Sequence, residues 1–200
     1  KQFWAFLPVT EKAPPEVRDA NWPHTDIDRF ILSAQEKKGI TPVNDADEAT
    51  LLRRIYFDLT GLPPTPGQAE TFNKAAATNR QKAIAGLIDE LLASPDFGVR
   101  WARHWLDIAR YSESTGGGRT LLFGEAWRYR DYVVDAFNSD KPYDRFVREQ
   151  IAGDLIQGGT LKERQEALIA TAFLLIGPTN YELQDKTVLE MDIIDEQLDT

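Results

Sequence analysis

Along most of the chain, apolar residues recur every three or four positions, the spacing of helices that bury one face. Glycine and proline interrupt this pattern between segments, and no pair of segments reads convincingly as two paired strands. The pattern therefore predicts an all-α fold, a single irregular multi-helix bundle of about eight or nine helices. They are expected near residues 25–39, 47–61, 66 onward, 80–92, 94–111, 125–138, 142–155, 162–176 and 182–200.

The first 24 residues differ from the rest because their prolines prevent a helix. We expect residues 1–24 to form an extended arm that packs on the body through apolar side chains. Residues 25–200 are expected to form one helical domain. The residues expected to begin its first three helices as caps are Thr25, Asp47 and Thr65. The apolar residues of the arm are Phe3, Trp4, Phe6 and Leu7.

The composition narrows the classes of protein to which the chain can belong. Apolar residues make up 42% and charged residues 28%, as in ordinary soluble globular proteins. The net charge of -9 argues against a nucleic-acid partner, because duplex binding needs a basic surface. The absence of cysteine excludes disulfides, thiolate nucleophiles, Cys-ligated zinc and covalent haem attachment within this segment. No apolar run is long enough to span a bilayer.

The segment 97–155 concentrates Trp and Tyr beside Arg, Asp and Glu, beyond what a plain helical core requires. This density predicts a rigid network of Arg–carboxylate and Arg–aromatic pairs. Trp101, Trp105 and Ile108 recur at helical spacing and are predicted to form an apolar core stripe. The arginines expected to neutralise nearby acids in structural ion pairs are Arg128, Arg130, Arg145 and Arg148.

Three residues are candidates for acid–base catalysis: His104, Asp107 and Glu113. His104 and Asp107 lie three residues apart on one predicted helix, where a carboxylate can orient an imidazole as a base or a ligand. A purely structural His–Asp pair is favoured instead, because no second histidine is near. Glu113 could belong to a carboxylate pair at glycosidase spacing. No ligand spacing defines a metal site, so no metal is predicted.

A glycine-rich stretch, residues 112–124, joins the two central helices and is best suited to direct ligand contact. Its glycines permit close approach of the backbone, and its serines and threonines supply hydroxyl groups. A mobile surface loop is an equally good interpretation, and no phosphate-loop pattern is present. The candidates for ligand binding in and beside this stretch are Arg110, Tyr111, Thr115, Gly117 and Arg128.

Several phrases carry a resemblance to a known family: WAFLPV, IDRFIL, LLRRIYFDLTGLPPTP, RWARHWLDIARY, WRYRDYV and NSDKPYDRFVREQIAGDL. The chain resembles the domain of unknown function found in large secreted cytochrome-associated proteins of planctomycetes. The resemblance implies an extracytoplasmic module, periplasmic or secreted, within a longer polypeptide. A c-type haem would belong to that polypeptide and lie outside this segment. The chain reads RYSESTGG where the family usually has Arg-Tyr-Ala-Asp, so any role of Glu113 and Thr115 would differ from that of the family's residues.

These observations favour an accessory or scaffold helical module that positions a haem domain for extracytoplasmic electron transfer. Its partners would be other domains of the same polypeptide, among them a cytochrome c domain, and it would hold no cofactor itself. The alternative is a polysaccharide-binding or polysaccharide-degrading module with its pocket at the 112–124 loop. A third interpretation is a protein–protein scaffold, which an exposed apolar patch including Trp4 or Trp127 would favour.

Overall fold

Helices form nearly all the regular structure in the computed structural model, which describes residues 3–116 and 120–199. No strand ladder forms within these ranges, and two isolated β-bridges pair Ser114 with Leu122 and Gly116 with Thr179. The predicted all-α fold is confirmed. The helices are α1 (Asp26–Lys37), α2 (Glu48–Leu59), α3 (Pro66–Leu92), α4 (Pro95–Ile108), α5 (Ala126–Asn138), α6 (Tyr143–Ala152), α7 (Leu161–Ala170) and α8 (Lys186–Asp199).

Polar side chains begin the first three helices at the positions that the sequence indicates. Thr25 and Thr65 each accept a hydrogen bond from a backbone N–H in the first turn, and Asp28 and Gln68 accept bonds in return. Asp47 accepts from a backbone N–H of α2 at 2.8 Å. These caps satisfy N–H groups that have no partner within the helix, so the three helix starts are fixed by local chemistry.

The two helices expected at residues 66 onward and 80–92 form one element, α3, which is interrupted at Asn79. The backbone of Asn79 is extended there, with φ -155° and ψ 100°. Its side chain accepts a hydrogen bond from the N–H of Lys82 at 3.0 Å, as the cap of a new helix would. The second of the two expected helices therefore begins at this cap, directly after the first.

The chain divides into two compact units, residues 1–46 and 47–200. In the first unit, the backbone N–H of Arg18 donates to the carboxylate of Glu36 at 2.9 Å, which ties the segment before α1 to that helix. Phe6 and Val9 are exposed in this unit, and the side chain of Trp4 lies outside the described structure. The arm of residues 1–24, and a domain boundary after it, stay predictions.

Two apolar clusters form the core of the second unit. One fills the space between α2 and α3 around Leu52 and Phe72. The larger cluster joins α4, α5 and α6 with residues at and beyond the end of α7. In it, Ala102 of α4 and Ala109, which follows α4 as its C-cap, are fully buried, and their small size lets α4 and α5 approach closely. None of the described helices combines the length and apolar character that crossing a bilayer requires.

The predicted core stripe of α4 was wrong at one position. Ile108 is 60% exposed, whereas Ala102, Leu106 and Ala109 are buried. Trp105 does pack against the core cluster as predicted. Large apolar residues suggested a face that includes Ile108, but the close contact with α5 selects small side chains on a neighbouring face. The size of the facing helix's side chains decided this, and a single helix does not reveal it.

A substitution at Gly153 tests how closely the turn after α6 packs against α7. A Cβ atom on Gly153 would overlap the carbonyl oxygen of Ala167, which is backbone and cannot swing aside. We expect Gly153→Ala to lower the free energy of unfolding by about 2–3 kcal/mol through overpacking. Gly86→Ala in α3 is the matched control, because it meets no atom within 4 Å. It should raise the free energy of unfolding by about 0.5–1 kcal/mol. Equal losses in urea denaturation would contradict this account.

Candidate functional site

Two consecutive side chains of α6, Glu149 and Gln150, are 1% exposed and form the centre of a buried polar network. The carboxylate of Glu149 accepts three hydrogen bonds from different directions. Tyr132 donates its hydroxyl at 2.8 Å, Lys141 its ammonium group at 2.6 Å, and Arg145 its Nε–H at 2.7 Å. A buried carboxylate is stable only with such partners, because the charge has left water.

Gln150 connects α6 to α4 and α5. Its Oε1 accepts from Trp105 Nε1 at 2.8 Å and from the hydroxyl of Tyr129 at 2.5 Å. Its Nε2 donates to the carbonyl oxygen of Phe146 at 3.2 Å. Trp105 also meets the ring of Phe146 edge-on, with 4.9 Å between the ring centroids. The buried amide therefore has partners on both its oxygen and its nitrogen, as a rigid core requires.

The network holds its protons in fixed places. Burial acts to raise the pKa of Glu149, but the hydrogen bonds from Lys141, Arg145 and Tyr132 outweigh it and hold the pKa below the ordinary value. Burial raises the pKa of Tyr129 and of Tyr132, and the bond to Glu149 raises that of Tyr132 further. Near neutral pH, Glu149 is thus ionised and both phenols are protonated. This arrangement suits a network that holds the helices together.

The arginines predicted to neutralise nearby acids do so. Arg130 pairs with Asp131 at 3.0 Å, Arg145 with Glu149 at 2.7 Å, and Arg148 with Asp144 at 2.5 Å; Arg128 also pairs, with Glu125. Most of these pairs lie at the surface, where an ion pair contributes little. Lys141, whose side chain is 11% exposed, is more buried than these arginines, and sequence reasoning missed it. Its spacing from Glu149 gave no helical signal, since the turn before α6 separates the two residues.

The three candidate acid–base residues lie at the surface with other partners. Asp107 pairs with Arg103 at 2.8 Å, and the ring of His104 meets that of Trp101 edge-on at 5.3 Å. Glu113 accepts a hydrogen bond from the hydroxyl of Tyr111 at 3.2 Å and lies 3.6 Å from Arg130. The structure therefore does not bring His104, Asp107 and Glu113 together around one point. As catalytic residues they stay predictions.

The candidate ligand-binding residues differ in their surroundings. Gly117 is outside the described residues. Arg128 lies over the ring of Trp127, 4.7 Å from its centroid, near the start of α5. Tyr111 stacks on Tyr129 at 6.4 Å, so its ring belongs to the edge of the core. Thr115 is 1% exposed and therefore positions the loop from within.

Thr115 fixes the glycine-rich stretch through three hydrogen bonds. Its N–H donates to the carbonyl oxygen of Leu121 at 3.0 Å, and its Oγ1 accepts from the N–H of Leu121 at 3.1 Å. Its carbonyl oxygen accepts from the N–H of Thr179 at 2.9 Å. The described ends of this stretch are thus tied to each other and to the segment that precedes α8.

Arg110 lies at the mouth of a cleft of about 470 Å³ between residues 174–181 and α8. Its guanidinium group forms an ion pair with the carboxylate of Glu196 and donates to the carbonyl oxygen of Glu196 at 3.2 Å. The backbone of Arg110 is left-handed, with φ 53°, and this turn directs the chain from α4 into the glycine-rich stretch. The acids along the cleft are Asp192, Asp195, Glu196 and Asp199.

The sequence-predicted residue Arg110 is one of the residues that line this cleft. Its charged groups are an arginine that is already paired and several carboxylates, and the rest of its wall combines apolar side chains with neutral polar ones. Among the described residues, no group of three or more His, Asp or Glu lies close enough to hold a metal ion. The arrangement favours holding α8 against the body over proton transfer.

Comparison with known proteins gives one match. Residues 26–200 match the model of a family described as PSCyt2, a protein of unknown function (DUF1549). No curated protein matches the chain, and no solved structure does. The family model covers all eight helices.

We expect Glu149→Gln to lower the free energy of unfolding by about 3 kcal/mol, because Lys141 and Arg145 lose the charge that compensates them. Glu70→Gln is the matched control. Glu70 pairs with Lys74 at the surface, where the loss should stay below about 0.5 kcal/mol. Urea denaturation at neutral pH measures both variants, and similar losses would show that burial of Glu149 contributes nothing.

The free energy of unfolding of Glu149→Gln should also depend less on pH in the acid range than that of the wild type. The pKa of Glu149 is lower in the folded protein, so its stabilisation is complete well above about pH 4.3 and is lost as the pH falls through the folded value. The difference in free energy of unfolding between wild type and Glu149→Gln should therefore shrink below about pH 4.3. A difference that is constant down to the acid limit of folding would contradict the assignment.

Arg110→Gln tests whether the pair with Glu196 holds α8 in place. We expect amide hydrogens of α8 to exchange about tenfold faster, the loss of one charge-assisted hydrogen bond, while those of α4 and α5 stay unchanged. Arg148→Gln, which removes a surface arginine paired with Asp144, is the control and should alter neither region. Faster exchange throughout the second unit would instead mark a general loss of stability.

Proposed function

The chain belongs to the PSCyt2 family of proteins of unknown function (DUF1549), and on that premise we propose that it is a non-catalytic accessory module. In this proposal it binds another domain of a longer, extracytoplasmic polypeptide. The observation that carries the proposal is the outer side of α8. That helix contributes one residue, Leu189, to the buried core and leaves a row of apolar side chains uncovered.

Four apolar side chains follow one another along the uncovered side of α8. Val188 is 46% exposed, Met191 55%, Ile194 49% and Leu198 79%. Their spacings of three, three and four residues place them on one side of a helix. Single exposed apolar residues are ordinary on a protein surface, but a row along one helix is the pattern of helices that pack against a partner.

Support for binding over catalysis comes from the surroundings of the polar candidates. Asp107 and Glu113 both lie beside arginines, and the buried network around Glu149 holds its protons in fixed places. Trp127, which is 42% exposed, adds an aromatic surface near the start of α5. The scaffold interpretation would be favoured by an exposed apolar patch that includes Trp127, and the guanidinium of Arg128 lies over this ring. No specific observation favours the polysaccharide alternative, which stays a prediction.

A c-type cytochrome domain is the proposed partner of α8. The ground for this choice is the resemblance of the sequence phrases to secreted cytochrome-associated proteins. The module itself has no cysteine for covalent haem attachment, so the haem would belong to the partner domain. The helical module would fix the position of that domain for electron transfer outside the cytoplasm.

Hydrogen exchange can test the proposal in the longer polypeptide that contains the chain and its natural neighbouring domains. We expect amide hydrogens of α8 to exchange about tenfold more slowly there than in the chain alone, because binding covers the helix. Replacing both Met191 and Leu198 with Asp should abolish this difference. Leu168→Asp is the matched control, since Leu168 is 59% exposed on α7, and it should leave the difference intact.

Two outcomes separate the parts of the proposal. Identical exchange of α8 in the chain and in the longer polypeptide would remove the docking role. A difference in exchange without haem absorbance in the longer polypeptide would keep the accessory role and remove the cytochrome as partner.

A further inference from the structure

Three arginines on two facing helices surround one hollow in the second unit. Arg53 and Arg54 lie on α2 and Arg100 lies on α4, and together they line a surface hollow of about 470 Å³. The other residues that line it are Ile55, Phe57 and Asp58. Three arginines and one aspartate therefore line the same space. This concentration of positive charge occurs in a chain whose net charge is -9.

The pairing of the remaining arginines makes this cluster unusual. In the described part of the second unit, seven of the eight other arginines form ion pairs with Asp or Glu, and the eighth, Arg164, donates to the carbonyl oxygen of Gly159. Within the same part, no ion pair with Asp or Glu is found for Arg53, Arg54 or Arg100, although Asp58 lines the same hollow. The arginines that are paired are Arg80, Arg103, Arg110, Arg128, Arg130, Arg145 and Arg148.

The surrounding structure holds two of the three guanidinium groups in place. The Nε atom of Arg100 is buried and has no hydrogen-bond partner within the described protein. The aliphatic part of Arg100 packs against Gly61, where a Cβ atom would lie 3.0 Å from Cδ and where φ is +73°. The guanidinium of Arg53 lies over the ring of Phe57, 4.7 Å from its centroid. Such positioning before binding reduces the entropy that a ligand must overcome.

We propose that Arg53, Arg54 and Arg100 form a binding site for a phosphate or sulfate oxyanion. Guanidinium groups donate in a planar fork that matches two oxygens of such an anion, and three of them can engage a tetrahedral group from several sides. A dianion compensates two of the positive charges, which a chloride ion cannot do. Asp58 opposes the anion and lowers its affinity. The site is on α2 and α4 and does not depend on the role proposed for α8.

Isothermal titration of the chain with inorganic phosphate and with sulfate, at an ionic strength held constant with sodium chloride, tests the site. We expect saturable binding to the wild-type chain. Arg54→Gln and Arg100→Gln should each weaken it about tenfold, the loss of one charge-assisted hydrogen bond. Arg54 is exposed, so its variant should fold even where Arg100→Gln does not. Asp58→Asn should tighten binding, because it removes the opposing charge.

Arg148→Gln is the control, since it removes the same charge from an exposed arginine elsewhere in the unit. It should leave the affinity unchanged. No saturable binding of either anion, or an equal loss in Arg148→Gln and Arg54→Gln, would overturn the proposal. Phenyl phosphate distinguishes the two sources of the oxyanion. Tighter binding than that of inorganic phosphate indicates a group carried on an organic molecule beside Phe57, and equal binding indicates the free ion.

Discussion

The buried charge of Glu149 is the constraint on which the packing of the second unit depends. A carboxylate at 1% exposure must be compensated before the helices around it can close. Its three donors come from different elements: Tyr132 from α5, Lys141 from the turn that follows, and Arg145 from α6 itself. The orientation of α5 against α6 is therefore fixed by one charge. The adjacent Gln150 extends the same constraint to α4 through Trp105.

Local chemistry made much of the fold predictable, and contacts distant in sequence account for what was missed. Caps at Thr25, Asp47 and Thr65 fix helix starts from within a few residues, so the pattern located them. The burial of α4 depends on the size of side chains on α5, so Ile108 was misplaced. Arg110 and Glu196 are 86 residues apart, and no spacing along one helix indicates their pairing. The pattern could suggest Arg110 as a candidate but not its partner.

The candidate residues show how the same composition can serve structure or function. The sequence concentrated arginines, acids and aromatics in one segment, and the structure sorts them by burial. Its most buried members compensate one another, while the outer ones form surface pairs that stabilise little. A row of apolar side chains along α8 remains uncovered. A unit whose outer helix leaves apolar side chains uncovered has the surface of a binding module, and this geometry supports the accessory role that we propose.

Unpaired arginines carry more information in this chain than they would in a basic protein. With 32 acidic residues against 23 basic ones, a carboxylate is available near most arginines, and most of those in the second unit have one. Arg53, Arg54 and Arg100 lack such a partner although Asp58 lines the same hollow. The three lie together because α2 and α4 place their outward faces side by side. Solubility of an acidic protein does not require such a cluster, and repulsion between like charges opposes it. An anion in the hollow would offset the cost of that repulsion, and this is the physical ground for the site that we propose.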